Sequence, residues 1–137
     1  MTKKSYQFKM CGLEYVYLEN TPVRRTRFGE ILDTDLAVIE AAIAKEIVKQ
    51  GIPIRGLEVR FLRKCIGLSL ARFGQILGLS APAILKWEKA GKKRLQTINE
   101  IAVRALMAEQ LNISVPGKFT ALRGRPEAPA RLLLRVA

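Results

Sequence analysis

The residues best equipped for chemistry in this sequence are cations, and they are concentrated in one stretch. Residues 55–111 hold 11 basic and 4 acidic side chains, net +7, whereas 1–54 hold 8 and 7 (net +1) and 112–137 hold 5 and 1 (net +4). Together they give the whole chain +12, from 24 Lys+Arg against 12 Asp+Glu. A basic patch on a small folded domain is the electrostatic footprint of a polyanionic partner. The same charge would also serve as a plain solubilising surface, and only the order of the residues separates the two. Catalytic chemistry is poorly supplied. There is no histidine, no recognisable acid pair, no Gly-rich phosphate loop and no activated nucleophile, so the chain is not expected to be an enzyme. The acids Glu58, Glu88 and Glu100 are read as helix-surface and capping groups. Two cysteines, Cys11 and Cys65, cannot build a four-ligand zinc site without histidine, so neither a metal nor a cofactor is expected. Cys65 is read as a small core residue.

The elements that must position these cations can be read from periodicity and punctuation. The chain has 137 residues, 49% of them hydrophobic. That suits one compact domain with an appendage rather than a disordered chain. The longest uncharged run, 73–85, is 13 residues broken by Gly and Pro. No membrane span or signal peptide is expected, and residence in the cytoplasm follows by default. The aromatic and branched residues of 6–28 predict β structure, with Asn20-Thr21-Pro22 as the turn and 23–28 as the returning strand. Residues 32–50 predict a helix with Leu36, Ile39, Ile43 and Ile47 on one stripe and Asp33 and Asp35 in its first turn. Gly51 and Pro53 end it.

From Arg55 the rhythm becomes one of short helices. The first spans 57–66 with Leu57, Phe61, Leu62 and Cys65 inward. The second starts after the N-cap Ser69 and runs to Leu77. The third is capped by Ser80, carries Pro82 in its first turn and reaches about Lys89. The basic loop Ala90-Gly91-Lys92-Lys93-Arg94 follows. Thr97 and Glu100 form a Thr-x-x-Glu capping box that opens a fourth helix, with Ile98, Ile101, Ala102, Ala105 and Leu106 on one face. The tail 115–137 reads as loosely ordered until the apolar 132–136. That end has two destinations: an added strand on the N-terminal hairpin, or a contact with a second subunit. The expected class is α+β, mostly α, in three segments: 1–54 (β hairpin and helix, an interaction or dimerisation module), 55–111, and the basic tail 112–137.

The stretch 62–94 resembles the Cro/repressor-like (Xre) helix-turn-helix family. The matching points are Gly67-Leu68-Ser69 before the second helix, Gly78-Leu79-Ser80 at the turn, and Ile84 with Trp87-Glu88 in the third. Gly78 permits a left-handed turn, Gly74 lets the two helices approach, and Phe73, Leu77, Leu79, Ile84 and Trp87 fill a small core. The resemblance implies a double-stranded DNA-binding domain whose third helix lies in the major groove. Matched by position, the residues presented to DNA are Ser80, Ala81, Pro82, Ala83, Leu85, Lys86 and Lys89. Ala81 and Ala83 can only touch a thymine methyl. Lys86 has two readings, guanine O6/N7 or a phosphate. Leu70 stands where the family often has Gln. Arg72, Gln75, Lys92, Lys93 and Arg94 are the implied phosphate contacts, with backbone N–H groups at Ser69 and Ser80.

A wider resemblance takes in Cys11-Gly12-Leu13, Tyr15-Val16-Tyr17-Leu18-Glu19-Asn20, the 39–47 helix and Gly56-Leu57-Glu58-Val59-Arg60-Phe61-Leu62-Arg63-Lys64. Together they resemble the MqsA-type antitoxin group. That group joins an N-terminal, often zinc-binding, module to a Cro/repressor-like domain; its members repress their own operon as dimers, and many neutralise a toxin encoded beside them. The paired zinc cysteines are absent here, and Arg55 stands where a capping Thr is common. The resemblance implies a dimeric, autoregulatory transcriptional repressor, with a toxin protein as a further partner. Its dimer surface is expected on the fourth helix around Ala105, Leu106, Glu109 and Leu111. The alternative is a protein-interaction module that kept the fold and lost base reading.

Overall fold

The computed structural model describes residues 2–115 and 117–135. Its class is mixed α+β, mostly α. The chain divides into two compact units, Met1–Ile43 with Pro129–Ala137, and Ala44–Ala128. This division cuts across the sequence segments 1–54, 55–111 and 112–137: it passes through one helix and sends the two ends of the tail to different units.

The first unit is built on a four-stranded sheet. Strand β1 (Thr2–Gln7) runs antiparallel to β2 (Val16–Thr26), with Tyr6 opposite Leu18. Strand β2 then pairs antiparallel with β3 (Gly29–Leu32), Thr26 opposite Gly29 and Val23 opposite Leu32. The last strand, β4 (Leu132–Arg135), lies parallel to β2, Val16 opposite Leu132 and Leu18 opposite Leu134. Of the two destinations for the apolar tail, the structure shows the added strand; Val136 lies outside the described residues. Alternation along β4 is clean: Leu132 and Leu134 are buried and Leu133 is exposed, as a half-buried strand requires. Phe8, Leu13, Tyr15, Val16, Leu18, Val23, Ile39 and Ile43 complete the buried apolar set of this unit.

The expected turn at Asn20-Thr21-Pro22 is corrected, because β2 runs through it. Pro22 removes one ladder donor, but β2 is held by three partner strands, so the loss is local. The strand β1, Thr-Lys-Lys-Ser-Tyr-Gln, has no apolar alternation and is ordered by its partner rather than by its own pattern. The actual reversal is the two-residue tip Arg27-Phe28.

Helix α1 (Leu36–Lys49) begins later than 32, because Leu32 still belongs to β3. The Asp35 carboxylate accepts the Ala37 N–H (2.9 Å), so Asp35 caps the helix rather than sitting inside its first turn. Ile39, Ile43 and Ile47 are fully buried, whereas Leu36 is exposed.

In the second unit follow α2 (Gly56–Cys65), α3 (Leu70–Leu77), α4 (Ala81–Lys89), α5 (Thr97–Gln110) and a 3-10 turn (Phe119–Arg123). The core includes Ile47, Ile52, Ile54, Val59, Leu62, Phe73, Ile84, Val103 and Met107. Leu57 and Cys65 are half-buried. The Thr97–Glu100 capping box does not form. Gln96 is the N-cap residue and makes no side-chain cap bond. The Glu100 carboxylate, 0% exposed, is instead gripped by Arg94 (Nε–Oε1 2.6 Å, Nη2–Oε2 3.0 Å) and approached by Arg104 Nη2 (3.2 Å). Two guanidiniums outcompete the single backbone N–H that a capping box would offer this carboxylate.

Arg104, 1% exposed, also donates to the carbonyls of Ile47 (3.1 Å), Ile52 (2.6 Å), Leu122 and Arg123 (3.2 Å). Burial pulls its pKa below the ordinary arginine value, and the charge of Glu100 opposes that pull. The face of α5 shifts accordingly. Ile98, Ala102 and Ala105 are exposed, and the buried set is Glu100, Ile101, Val103, Arg104, Leu106, Met107 and Ala108. Glu58 does cap α2 from its N3 position, but it is not on the surface. Glu58 is fully buried and accepts from the Arg55 backbone N–H (2.9 Å) and from its guanidinium (2.8 and 2.6 Å). Residues 122–126 of the tail are held by the carbonyls they offer to Arg94 and Arg104.

Truncating one partner of a buried ion pair leaves uncompensated charge, at a cost of about 3–5 kcal/mol. Glu100→Ala is therefore expected to destabilise the protein by that amount in denaturant unfolding. The exposed Glu109→Ala on the same helix should stay within about 0.5 kcal/mol. Equal, small effects would show that the network is dispensable.

Candidate nucleic-acid interface

The geometry begins with two serines. The Ser69 hydroxyl accepts the Arg72 N–H (3.1 Å) and the Ser80 hydroxyl accepts the Ala83 N–H (3.3 Å), each closing a first turn. Between α3 and α4, Gly78 takes the left-handed conformation (φ 75°), the backbone state that glycine tolerates best. Gly74 makes the crossing close: a Cβ there would lie 2.5 Å from the Leu79 carbonyl oxygen. Phe73 and Ile84 are fully buried, while Leu77 and Trp87 are half-buried. Leu79, expected in the core, is instead 36% exposed at the turn. A residue spanning a two-helix corner has core on one side only, which explains the difference.

Two further sets of bonds hold this pair in place. Arg63 of α2 makes a bidentate bond with Glu88 of α4 (2.7 and 3.0 Å) and donates to the Leu68 carbonyl (2.9 Å). That tie locks α2, the loop before α3 and α4 together, and the Glu88 bond raises the Arg63 pKa above its ordinary value. The loop after α4 is stitched to the start of α2. Gly56 N–H donates to Lys93 O (3.3 Å), Leu57 N–H to Gly91 O (3.1 Å), and Leu95 N–H to Ile54 O (3.0 Å).

On this frame Pro82, Leu85, Lys86 and Lys89 are exposed. Their spacing of 0, 3, 4 and 7 puts them on one stripe of α4. Ser80 is exposed beside them, and Ala81 and Ala83 are half-buried. Lys92 and Lys93 are exposed in the stitched loop. Arg72 and Gln75 are exposed on α3 and bonded to each other (2.9 Å). Arg94 is placed differently from the other basic candidates. Its guanidinium is occupied by Glu100 and by the Pro126 (3.1 Å) and Arg123 (3.2 Å) carbonyls. It anchors the loop and is not free to meet a phosphate.

The structure adds two residues. A cavity of about 330 Å³ lies between α2, the start of α3 and α4, and Arg60, Lys64 and Lys89 all line it. Arg60 and Lys64 are exposed. Their i, i+4 spacing on α2 was the available signal, since two cations so spaced share one helix face. The arrangement offers seven exposed amines or guanidiniums on α2, α3, α4 and the loop after α4: Arg60, Lys64, Arg72, Lys86, Lys89, Lys92 and Lys93. It offers few hydrogen-bond partners for a base edge.

Of the expected dimer residues, Ala105 and Glu109 are exposed and Leu111 is half-buried, but Leu106 is buried within its own unit. Leu106 is therefore not available to a partner surface. No protein-family model, curated protein or solved structure matches the chain.

Gly74→Ala forces the helix crossing apart by inserting a methyl against backbone. Overpacking of this kind costs about 1–3 kcal/mol. The expected outcome is a lower thermal midpoint than that of Ala71→Gly, a glycine exchange at an exposed α3 position. A midpoint at or above that of the control would mean that the crossing is not tight.

Proposed function

We propose that this protein binds double-stranded DNA through α3 and α4, as a sequence-specific transcriptional repressor of the Cro/repressor-like type. The observation that carries the reading is the α3–turn–α4 geometry, two Ser-capped helices crossing at Gly74 and Gly78, with a solvent-facing Pro82–Leu85–Lys86–Lys89 stripe. In this reading α4 enters the major groove. Lys86 reaches a base edge or phosphate, and Lys92, Lys93 and the Arg72–Gln75 pair hold the backbone. Two copies joined by a two-fold axis meet successive major grooves about 34 Å apart. The resemblance to MqsA-type antitoxins supports autoregulation and a toxin partner encoded by a neighbouring gene. Such a repressor works in the cytoplasm, beside the DNA it controls, and catalyses nothing. Among the described residues no helix is long and apolar enough to cross a membrane.

A second reading, a protein-interaction module on the same scaffold, is favoured by one observation. Ile76, Leu79 and Leu85 are partly exposed, beside an α4 stripe with little to offer a base edge.

A gel-shift titration against the protein's own upstream region, with random duplex as competitor, separates the two. A specific complex that survives excess competitor supports the repressor, whereas binding abolished by competitor supports the interaction module. Within the specific complex, Lys86→Ala is expected to cost about 1–3 kcal/mol and relax preference at one base pair. Equal loss on specific and random duplex would restrict Lys86 to phosphate. The double change Lys92→Ala with Lys93→Ala is expected to weaken all duplexes alike and make the salt dependence shallower. An unchanged slope would remove the loop from the interface.

A further inference from the structure

The β2–β3 hairpin carries chemistry that the helix-turn-helix does not use. Over residues 23–32 there are three arginines and one acid, whereas the whole of 1–54 carries a net charge of only +1. Arg24, Arg25 and Arg27 are all exposed. In the register Arg24 faces Ile31 and Thr26 faces Gly29; only Arg25 stands across from the acid, Glu30. At the tip Phe28 is 86% exposed, more than any other large apolar residue described. The Arg27 guanidinium lies over its ring, 5.0 Å from the centroid.

Local shape does not account for these residues. The left-handed position of the tip is taken by Gly29 (φ 108°), and Arg27 and Phe28 lie outside it; their backbone accepts most residue types and calls for neither a cation nor an exposed aromatic. The tip is nonetheless held in one form. Thr26 Oγ1 donates to the Gly29 carbonyl (2.8 Å) and accepts the Phe28 N–H (3.2 Å). A preformed tip loses little conformational freedom on binding. It therefore presents cations with a bidentate fork for phosphate oxygens, beside an aromatic face exposed to water.

We propose that the β2–β3 hairpin is a second nucleic-acid contact. Arg24, Arg25 and Arg27 engage duplex phosphates, and Phe28 packs against a sugar or wedges at a base step in the minor groove. The proposal rests on the DNA-binding reading above and extends it to a separate element of the chain. An anionic membrane surface fits less well, because the tip offers a single apolar side chain for insertion. A protein partner would be served by the same Arg and Phe, and the test separates it.

The experiment uses the full chain and measures duplex affinity across a salt series. Two variants are compared with wild type: Arg24→Gln/Arg25→Gln/Arg27→Gln together, and Phe28→Ala alone. All changed side chains are exposed, so thermal melts should match wild type. The triple variant is expected to lower the log–log salt slope by about 0.9 per lost phosphate contact, roughly 2–3 in all. Phe28→Ala should weaken binding roughly ten-fold, within the range of one aromatic stack, and leave the slope unchanged.

If both variants keep the wild-type slope and affinity while the Lys92/Lys93 double change does not, the hairpin proposal is overturned and the helix-turn-helix reading stands. If wild type binds no duplex, both fall. Variants that keep the DNA slope but lose self-association in sedimentation, or lose binding to phosphatidylserine vesicles, would assign the hairpin to a protein or membrane surface and overturn it.

Discussion

One buried carboxylate organises the second unit. Glu100 is removed from water between Arg94 and Arg104, and a charge so placed is tolerated only where its partners are fixed. Those partners are fixed because each guanidinium also satisfies backbone. Arg104 collects carbonyls from Ile47 at the end of α1, from Ile52 and from the 3-10 turn, and Arg94 shares the Arg123 carbonyl and adds that of Pro126. Lysine could not do this: it lacks the planar fork that holds a carboxylate and several carbonyls at once. The network thus ties three chain segments: residues 47–52, α5 and residues 122–126. It also determines what remains free. Arg94 is held back beside Glu100, so the loop before it is pinned at one end and stitched to α2 at the other. Lys92 and Lys93 therefore project from a rigid support.

This arrangement explains what could and could not be read from the sequence. The limits of α3 and α4 were legible because they are set locally: a serine hydroxyl reaches three residues on, and Gly78 relieves strain at its own position. The crossing at Gly74 was legible for the same reason. The expected Glu100 cap assumed that a carboxylate three residues after Thr97 serves its own helix. Instead Arg94, six residues back, and Arg104, one turn on, took it. The expected apolar face of α5 was displaced with it, because two charged residues occupy core positions that an apolar pattern leaves out. The strand β1 and the course of β2 through Pro22 were hidden for another reason. Their order comes from pairing between distant segments, and a polar strand has no periodic signal of its own. The two-way reading of the tail was resolved only by register, with Leu132 and Leu134 buried against β2.

The candidate interface shows the same division between local and distant causes. Lys86, Lys89, Lys92 and Lys93 are exposed, as helix phase and loop position, both local properties, lead one to expect. Arg94 does not, because its role is set by Glu100. Arg60 and Lys64 join the surface through the packing of α2 beside α4, which the Arg63–Glu88 bond fixes across 25 residues of chain.

The chemistry of this surface bears on where discrimination between DNA sequences would arise. Phosphate contacts supply affinity and carry no sequence information. On the α4 stripe, Pro82 and Leu85 neither donate nor accept through their side chains, and Ala81 and Ala83 offer only methyl groups. Direct readout then comes down to Lys86 and to apolar contact with thymine methyls, which discriminates weakly. In the DNA-binding reading, a protein so equipped would depend on features that repeat along the duplex: two half-sites at the spacing of a two-fold dimer, and the cost of bending or narrowing the DNA between them. Each added backbone anchor then increases selectivity indirectly, by making the protein less tolerant of DNA that cannot adopt the required shape. A rigid loop, a pinned α4 and a preformed basic hairpin are the kind of anchors such a mechanism needs.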